Sequence, residues 1–377
     1  MSQAKTKHRR TNPQPPAGPP PERFFQKDLP GEEAPSFQTM QSLFIRAADV
    51  HTSRPWDYME EDQLVVIGHP ASHVPCYCSV MGSLGEARAV QVYIGEESYF
   101  WFRKLQAGVE ASLGDFFANQ HSLFVHFVNP GDLTPPNREL AKSMKHPLAR
   151  GTEVPLFRTI RPGYHPWFIT ESEARILAAG LEAVLVVRNV LSKEHAANLW
   201  SEEGIYPLIQ LYGEQGDHWE YTVKSVAAPT ETARMPKLPD LDQRRIQSIL
   251  DRGLPSAGTL EVDHFHGAGM IGAKHERKAC FRIALAIDSK TGFAFPPEVG
   301  TPDACTGDLL QRVILRAIEV KRARPLEIHV LNHDFKILLE PLVQALGVHV
   351  KVRKSLQALE FAKSEMQSML GDPGFAH

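Results

Sequence analysis

The side chains best suited to chemistry gather in one stretch of the 377-residue chain. His264 and His266 stand two apart in a run of strand character, so their imidazoles share a face, and Asp263 is beside them. Imidazole nitrogen and carboxylate oxygen are ligands that Zn2+ takes, and His275 beyond the Gly267–Gly272 loop would extend the set. The bland alternative is chance proximity in a chain with 17 histidines. Cys76 and Cys78 also point to one face, but a structural zinc site needs four ligands. Cys280 and Cys305 are far off in sequence, so buried, inert thiols are expected.

Other motifs carry less. Gly267–Ala–Gly269–Met–Ile–Gly272 matches a dinucleotide fingerprint by letter, yet it precedes a strand and lacks the helix N-terminus that binds phosphate. No phosphate-binding Gly-x-x-x-x-Gly-Lys-Ser/Thr loop and no Gly-x-Ser-x-Gly nucleophile elbow is present. The Tyr99–Phe102 aromatics are explained by core packing. In contrast, Arg161, Tyr164 and Trp167 sit in a segment locked by Pro162 and Pro166, which points to a surface-binding loop.

The elements that must position these groups fall into two α+β regions. Residues 1–35 combine a basic cluster with Pro13–Pro21 and bury little, so a disordered Pro-rich tail is expected. A helix over 36–50 should lead to strands at Leu64–Ile67, Cys76–Met81 and Ala89–Ile94, a helix over 97–111, and a strand at Leu123–Val128. That order predicts an N-terminal antiparallel meander with covering helices, in a domain spanning 36–226. Thr170 and Glu173 form a capping box opening a helix over 171–190, and a hairpin follows at 206–226. Pro229, Pro236 and Pro239 mark a linker over 227–240. The C-terminal region, 241–377, reads as five strands with helices, including a third strand at Phe293–Pro297 and a helix that Pro341 should kink or split.

Composition excludes several classes. Lys and Arg number 41 against 44 Asp and Glu, a net charge of −3. By region the charge is +2 over 1–35, −7 over 36–240 and +2 over 241–377, so no strongly basic nucleic-acid surface is hidden inside the total. Four cysteines exclude a disulfide-built scaffold. No apolar run spans a bilayer and no signal-peptide core is present, so a soluble cytoplasmic protein with no membrane partner is expected.

The C-terminal order β-β-β-α-β-α-β-α, with Glu261–Val–Asp263–His–Phe in the first strand and Ala286–Ile–Asp288–Ser–Lys–Thr–Gly292 at the hairpin, resembles the ribonuclease H-like fold of integrases and transposases. The whole chain over 37–370 also resembles a bacterial two-module family of unknown function. Ser79–Val–Met–Gly82, Val92–Tyr–Ile–Gly95 and Phe157–Trp167 carry that likeness. The first resemblance implies three carboxylates around two Mg2+ or Mn2+ ions. Asp263 stands mid-strand one. At the end of strand four Asn332 occupies the expected place and Asp334 follows, while Glu360 and Glu365 are available on the last helix. Asn332 cannot supply an anionic ligand. The resemblance therefore implies a degenerate, non-catalytic binding or scaffold protein with a protein or nucleic-acid partner. The alternative is a Mg2+-dependent nuclease or strand-transfer enzyme using Asp263, Asp334 and Glu360 or Glu365.

Overall fold

The computed structural model describes residues 32–68, 72, 74–85, 87–109, 113–191, 199–200, 202–215, 218–231, 236–273 and 276–370. Most of the Pro-rich segment lies outside them. Helix Phe37–Ser53 (α1) is capped by Ser36, whose Oγ accepts the Thr39 N–H at 3.1 Å. Its buried stripe of Met40, Leu43, Phe44, Ala47 and Val50 follows the helical period.

Val65–Gly68 (β1), Cys76–Met81 (β2) and Ala89–Ile94 (β3) are rich in β-branched and aromatic residues and buried on both faces. They pair antiparallel in sequence order. After Gly95–Gln106 (α2) and Leu113–Asn119 (α3), the meander continues into Ser122–Val128 (β4). Beyond Pro135–Ser143 (α4) it reaches Val154–Ile160 (β5), an edge strand that the sequence pattern did not reveal. Pro155 near its start disguises it, and an edge strand tolerates a proline there.

Helix Glu171–Leu191 (α5) opens on the expected capping box: Thr170 N–H donates to Glu173 Oε2 at 2.8 Å and Glu173 N–H to Thr170 Oγ1 at 3.4 Å. It carries the chain to Ile205–Gln215 (β6), which pairs parallel with β1 and turns back as His218–Ala227 (β7). The order of this seven-stranded sheet is β5-β4-β3-β2-β1-β6-β7. One face packs on α1 and α5, with Val65, Cys78, Val92, Leu177 and Val184 in the core. The other packs on α2 through Tyr77, Tyr93, Tyr99, Phe102 and Tyr206.

The second sheet begins after Gln243–Asp251 (α6). Thr259–Ile271 (β8) and Ala279–Asp288 (β9) form a long antiparallel pair, and Glu298–Gly300 (β10) adds to β9. Asp288 shapes the turn after β9, accepting the Lys290 and Thr291 N–H groups at 3.1 and 3.0 Å. The third strand is later than the pattern predicts. Ala294 makes an isolated bridge to Ile287, Pro296 and Pro297 interrupt the ladder, and pairing resumes at Glu298. Thr306–Lys321 (α7), Glu327–Val330 (β11), His333–Leu346 (α8), His349–Val352 (β12) and Gln357–Leu370 (α9) complete the chain.

Strand order is β10-β9-β8-β11-β12, with β11 parallel to both β8 and β12. Leu260, Val262, Ala284, Ala286, Ile328 and Val330 face α6, α7 and α8. Leu285 and Ile287 face α9 through Leu356 and Leu359. Helix α8 runs through Pro341 as one element, because Leu338, Leu339, Leu342 and Val343 on both sides of it are buried.

The two sheets are joined by backbone. Cys280 N–H donates to Gly163 O at 2.8 Å and His165 N–H to Lys278 O at 2.9 Å, so the 163–165 segment lies along β9 as a short added strand. Phe117, Ile160 and Cys280 form a small core at that junction. Close approach recurs inside the first sheet, where a Cβ on Gly180 of α5 would stand 2.5 Å from Val92 Cγ2. Gly180→Leu should therefore lower stability by ~1–3 kcal/mol through overpacking. Urea unfolding of the variant against the wild type measures it.

Candidate functional site

Strand alternation decides which of the candidate groups can meet. Along β8, Leu260 and Val262 point to the α7–α8 core, so Glu261 and Asp263 point to the α9 side. Both carboxylates are buried there, and both are engaged by α9. Glu261 Oε2 accepts the Leu359 N–H at 3.0 Å. Asp263 Oδ2 is held by Lys363 Nζ, which also lies 4.6 Å from the Phe265 ring.

The other expected carboxylates stand apart from this pair. Asp334 is exposed in the first turn of α8, and the cap of that helix is Asn332, whose side chain accepts the Phe335 N–H at 2.8 Å. Glu360 is exposed and accepts the Leu356 N–H at 3.2 Å, while Glu365 lies on the exposed side of α9. Among the described residues no three His, Cys, Asp or Glu side chains are placed to hold a metal ion.

His264 and His266 face the opposite side of β8 from Asp263. Their rings meet edge to face, with centroids 5.1 Å apart, and His275 lies outside the described residues. They open into a cleft of about 460 Å³ between the two sheets, lined by Asp115, Asn119, Gly163, Arg282, Thr306 and Asn332 among others. Arg282 Nε donates to His264 Nε2 at 3.3 Å. The rest of its guanidinium is fixed by the carbonyls of Pro302 (3.1 Å) and Ala304 and by the Thr306 hydroxyl. From the other module, Asp115 Oδ1 lies 3.4 Å from His266 Nδ1.

Burial, and then the Arg282, His266 and Lys363 charges, push the His264 pKa down to about 3. Its ring is therefore neutral in ordinary buffers. With Nε2 accepting from Arg282, the proton of that neutral ring is on Nδ1. Two glycines bring the walls together. A Cβ on Gly114 would stand 2.5 Å from His266 O, and one on Gly163 (φ 83°) would stand 2.5 Å from Pro302 Cβ.

The expected surface loop is used internally. Arg161 Nε donates to Glu173 Oε1 at 2.9 Å and its guanidinium also pairs with Glu32. Tyr164 bridges to Ala279, with the Arg277 guanidinium 5.9 Å from its ring centroid. Trp167 exchanges both backbone hydrogen bonds with Thr159 at 2.9 Å. Cys76 and Cys78 are buried, and burial raises both thiol pKa values.

Sequence reading missed Asp115, Arg282 and Thr306. Each is an ordinary residue in its own segment, and only the packing of α3 and of the α7 N-terminus against β8 and β9 brings them together.

Comparison with known families finds two successive matches along the chain. Residues 41–206 match a family model described as domain of unknown function DUF7309, and residues 246–367 match one described as domain of unknown function DUF6930. The chain is thus a two-module arrangement of these domains. No curated protein matches it.

The half-buried His264 has a pH signature. Its folded-state pKa of about 3 lies below the ordinary 6.5, so the unfolded chain binds the extra proton throughout that window. Stability contributed by neutral His264 is present above pH 6.5 and falls as the pH drops toward 3. His264→Gln should flatten this limb, read as the urea midpoint against pH.

Proposed function

We propose that the protein binds a ligand without hydrolysing it, and that its C-terminal module has a ribonuclease H-like arrangement of strands without the metal chemistry of that fold. One contact carries the reading: Lys363 Nζ on Asp263 Oδ2. A two-metal enzyme needs anionic groups converging on ions ~3.5–4 Å apart. Here the last helix delivers an ammonium to the strand-one carboxylate, neutralising it inside the chain. The strand order supports the fold assignment, since the fourth strand, β11, lies beside the first, β8. Asn332, at the end of β11, caps α8 and offers no negative charge.

The cleft between the modules is the binding site in this reading. At about 460 Å³ it is in the size range of small-molecule pockets. Its polar lining, His264, His266, Arg282, Thr306 and Asp115, would orient a polar ligand through hydrogen bonds. No helix among the described residues is long and apolar enough to cross a membrane.

The full-length protein, incubated with Mg2+ or Mn2+, should leave single-stranded DNA, duplex DNA, RNA and RNA–DNA hybrid intact. Metal-dependent cleavage that Asp263→Asn abolishes would sink the proposal. Stability gives a second reading of the same contact. Lys363→Met strands a buried carboxylate and should cost about 3 kcal/mol. Adding Asp263→Asn should return part of that loss, and a double-mutant cycle of urea unfolding measures the coupling.

A further inference from the structure

Strand β7 is the open edge of the seven-stranded sheet. The opposite edge is partly closed, since Thr159 of β5 pairs with Trp167. Along β7 every residue from Glu220 to Ser225 is exposed, including Tyr221 at 41% and Val223 at 37%. Tyr221 and Val223 pair with Leu211 and Ile209, so they continue the face that packs on α1 and α5. Glu220, Thr222 and Lys224 lie on the other face. Among the described residues, neither Glu220 nor Lys224 has an ion pair.

We propose that β7 is a homodimer interface, pairing antiparallel with β7 of a second copy about a two-fold axis at Thr222. The occupant is identified by the charge pattern. An axis perpendicular to the sheet keeps every residue on its own face, so only registers centred on a residue are allowed. Centring on Thr222 sets Glu220 opposite Lys224 of the second copy, and Lys224 opposite Glu220 of the second copy. The same register sets Tyr221 opposite Val223 twice, an aromatic–β-branched pair on the apolar face. No other centre on this strand joins the two charges.

Charges on an edge strand ordinarily guard against pairing. Such a guard works when approaching strands repel. A glutamate and a lysine spaced equally about one threonine do the reverse for an identical antiparallel strand. The pairing would satisfy the outward N–H and C=O groups of β7 and join two seven-stranded sheets into one continuous sheet. It stands independently of the ligand-binding reading, because β7 contributes nothing to the cleft.

Sedimentation equilibrium of the full-length chain tests it. The wild type should be a dimer at micromolar concentration. Glu220→Lys or Lys224→Glu alone places like charges at both symmetric positions and should weaken the dimer roughly tenfold or more. An equimolar mixture of the two variants should recover a dimer, since each then meets its complement, and this recovery also shows that both are folded. The double swap, Glu220→Lys with Lys224→Glu, should dimerise as the wild type does. A monomeric wild type, single variants that associate undiminished, or a mixture that stays monomeric would each overturn the proposal.

Discussion

Strand β9 runs further than the strand beside it, and the backbone groups left over govern how the two modules meet. β10 pairs only with Arg282, Ile283 and Ala284, which leaves the edge at Lys278–Cys280 without a ladder partner in its own sheet. Buried N–H and C=O groups must be paired. Gly163 O and the His165 N–H from the first module complete that edge. Once they do, Gly163 must lie against Pro302, and α3 must lie against β8. The cleft is the space that remains between those contacts. Its shape follows from a backbone requirement as much as from the side chains that line it.

The period of two along β8 then sorts adjacent residues into separate roles. Asp263 faces α9 and is consumed by Lys363, whereas His264 faces the cleft and is held by Arg282. Neighbours in sequence, they are on opposite sides of a sheet. Treating Asp263, His264 and His266 as one donor set overlooks this alternation, although the alternation was available in the sequence. The identity of the partners was not available. Lys363 is 100 residues from Asp263, and Asp115 is 151 from His266.

What was legible in the chain had local causes. The Thr170–Glu173 box, the α1 stripe and the long β8–β9 pair each follow from periodicity or a short motif that holds in any context. Strand β5 was hidden because Pro155 interrupts its signal. The third strand of the second sheet was placed early, because apolar Phe293–Phe295 resemble a strand and do make a first bridge to β9, while the continuous ladder forms only beyond Pro296 and Pro297. The 161–167 loop has internal contacts that its sequence does not announce. Its prolines mark it as rigid, and rigidity suits an internal clamp as well as a ligand surface.

The small core of Phe117, Ile160 and Cys280 has one more implication. Two modules strung on a flexible tether would melt separately, each at its own temperature. Here the apolar groups of the first module are covered by a strand of the second, and that strand is completed by the first. Loss of either exposes the other's unpaired edge and bare aromatic surface. The free energies of the two units are thereby pooled, and the chain is expected to unfold as a single cooperative unit, with one calorimetric transition rather than two.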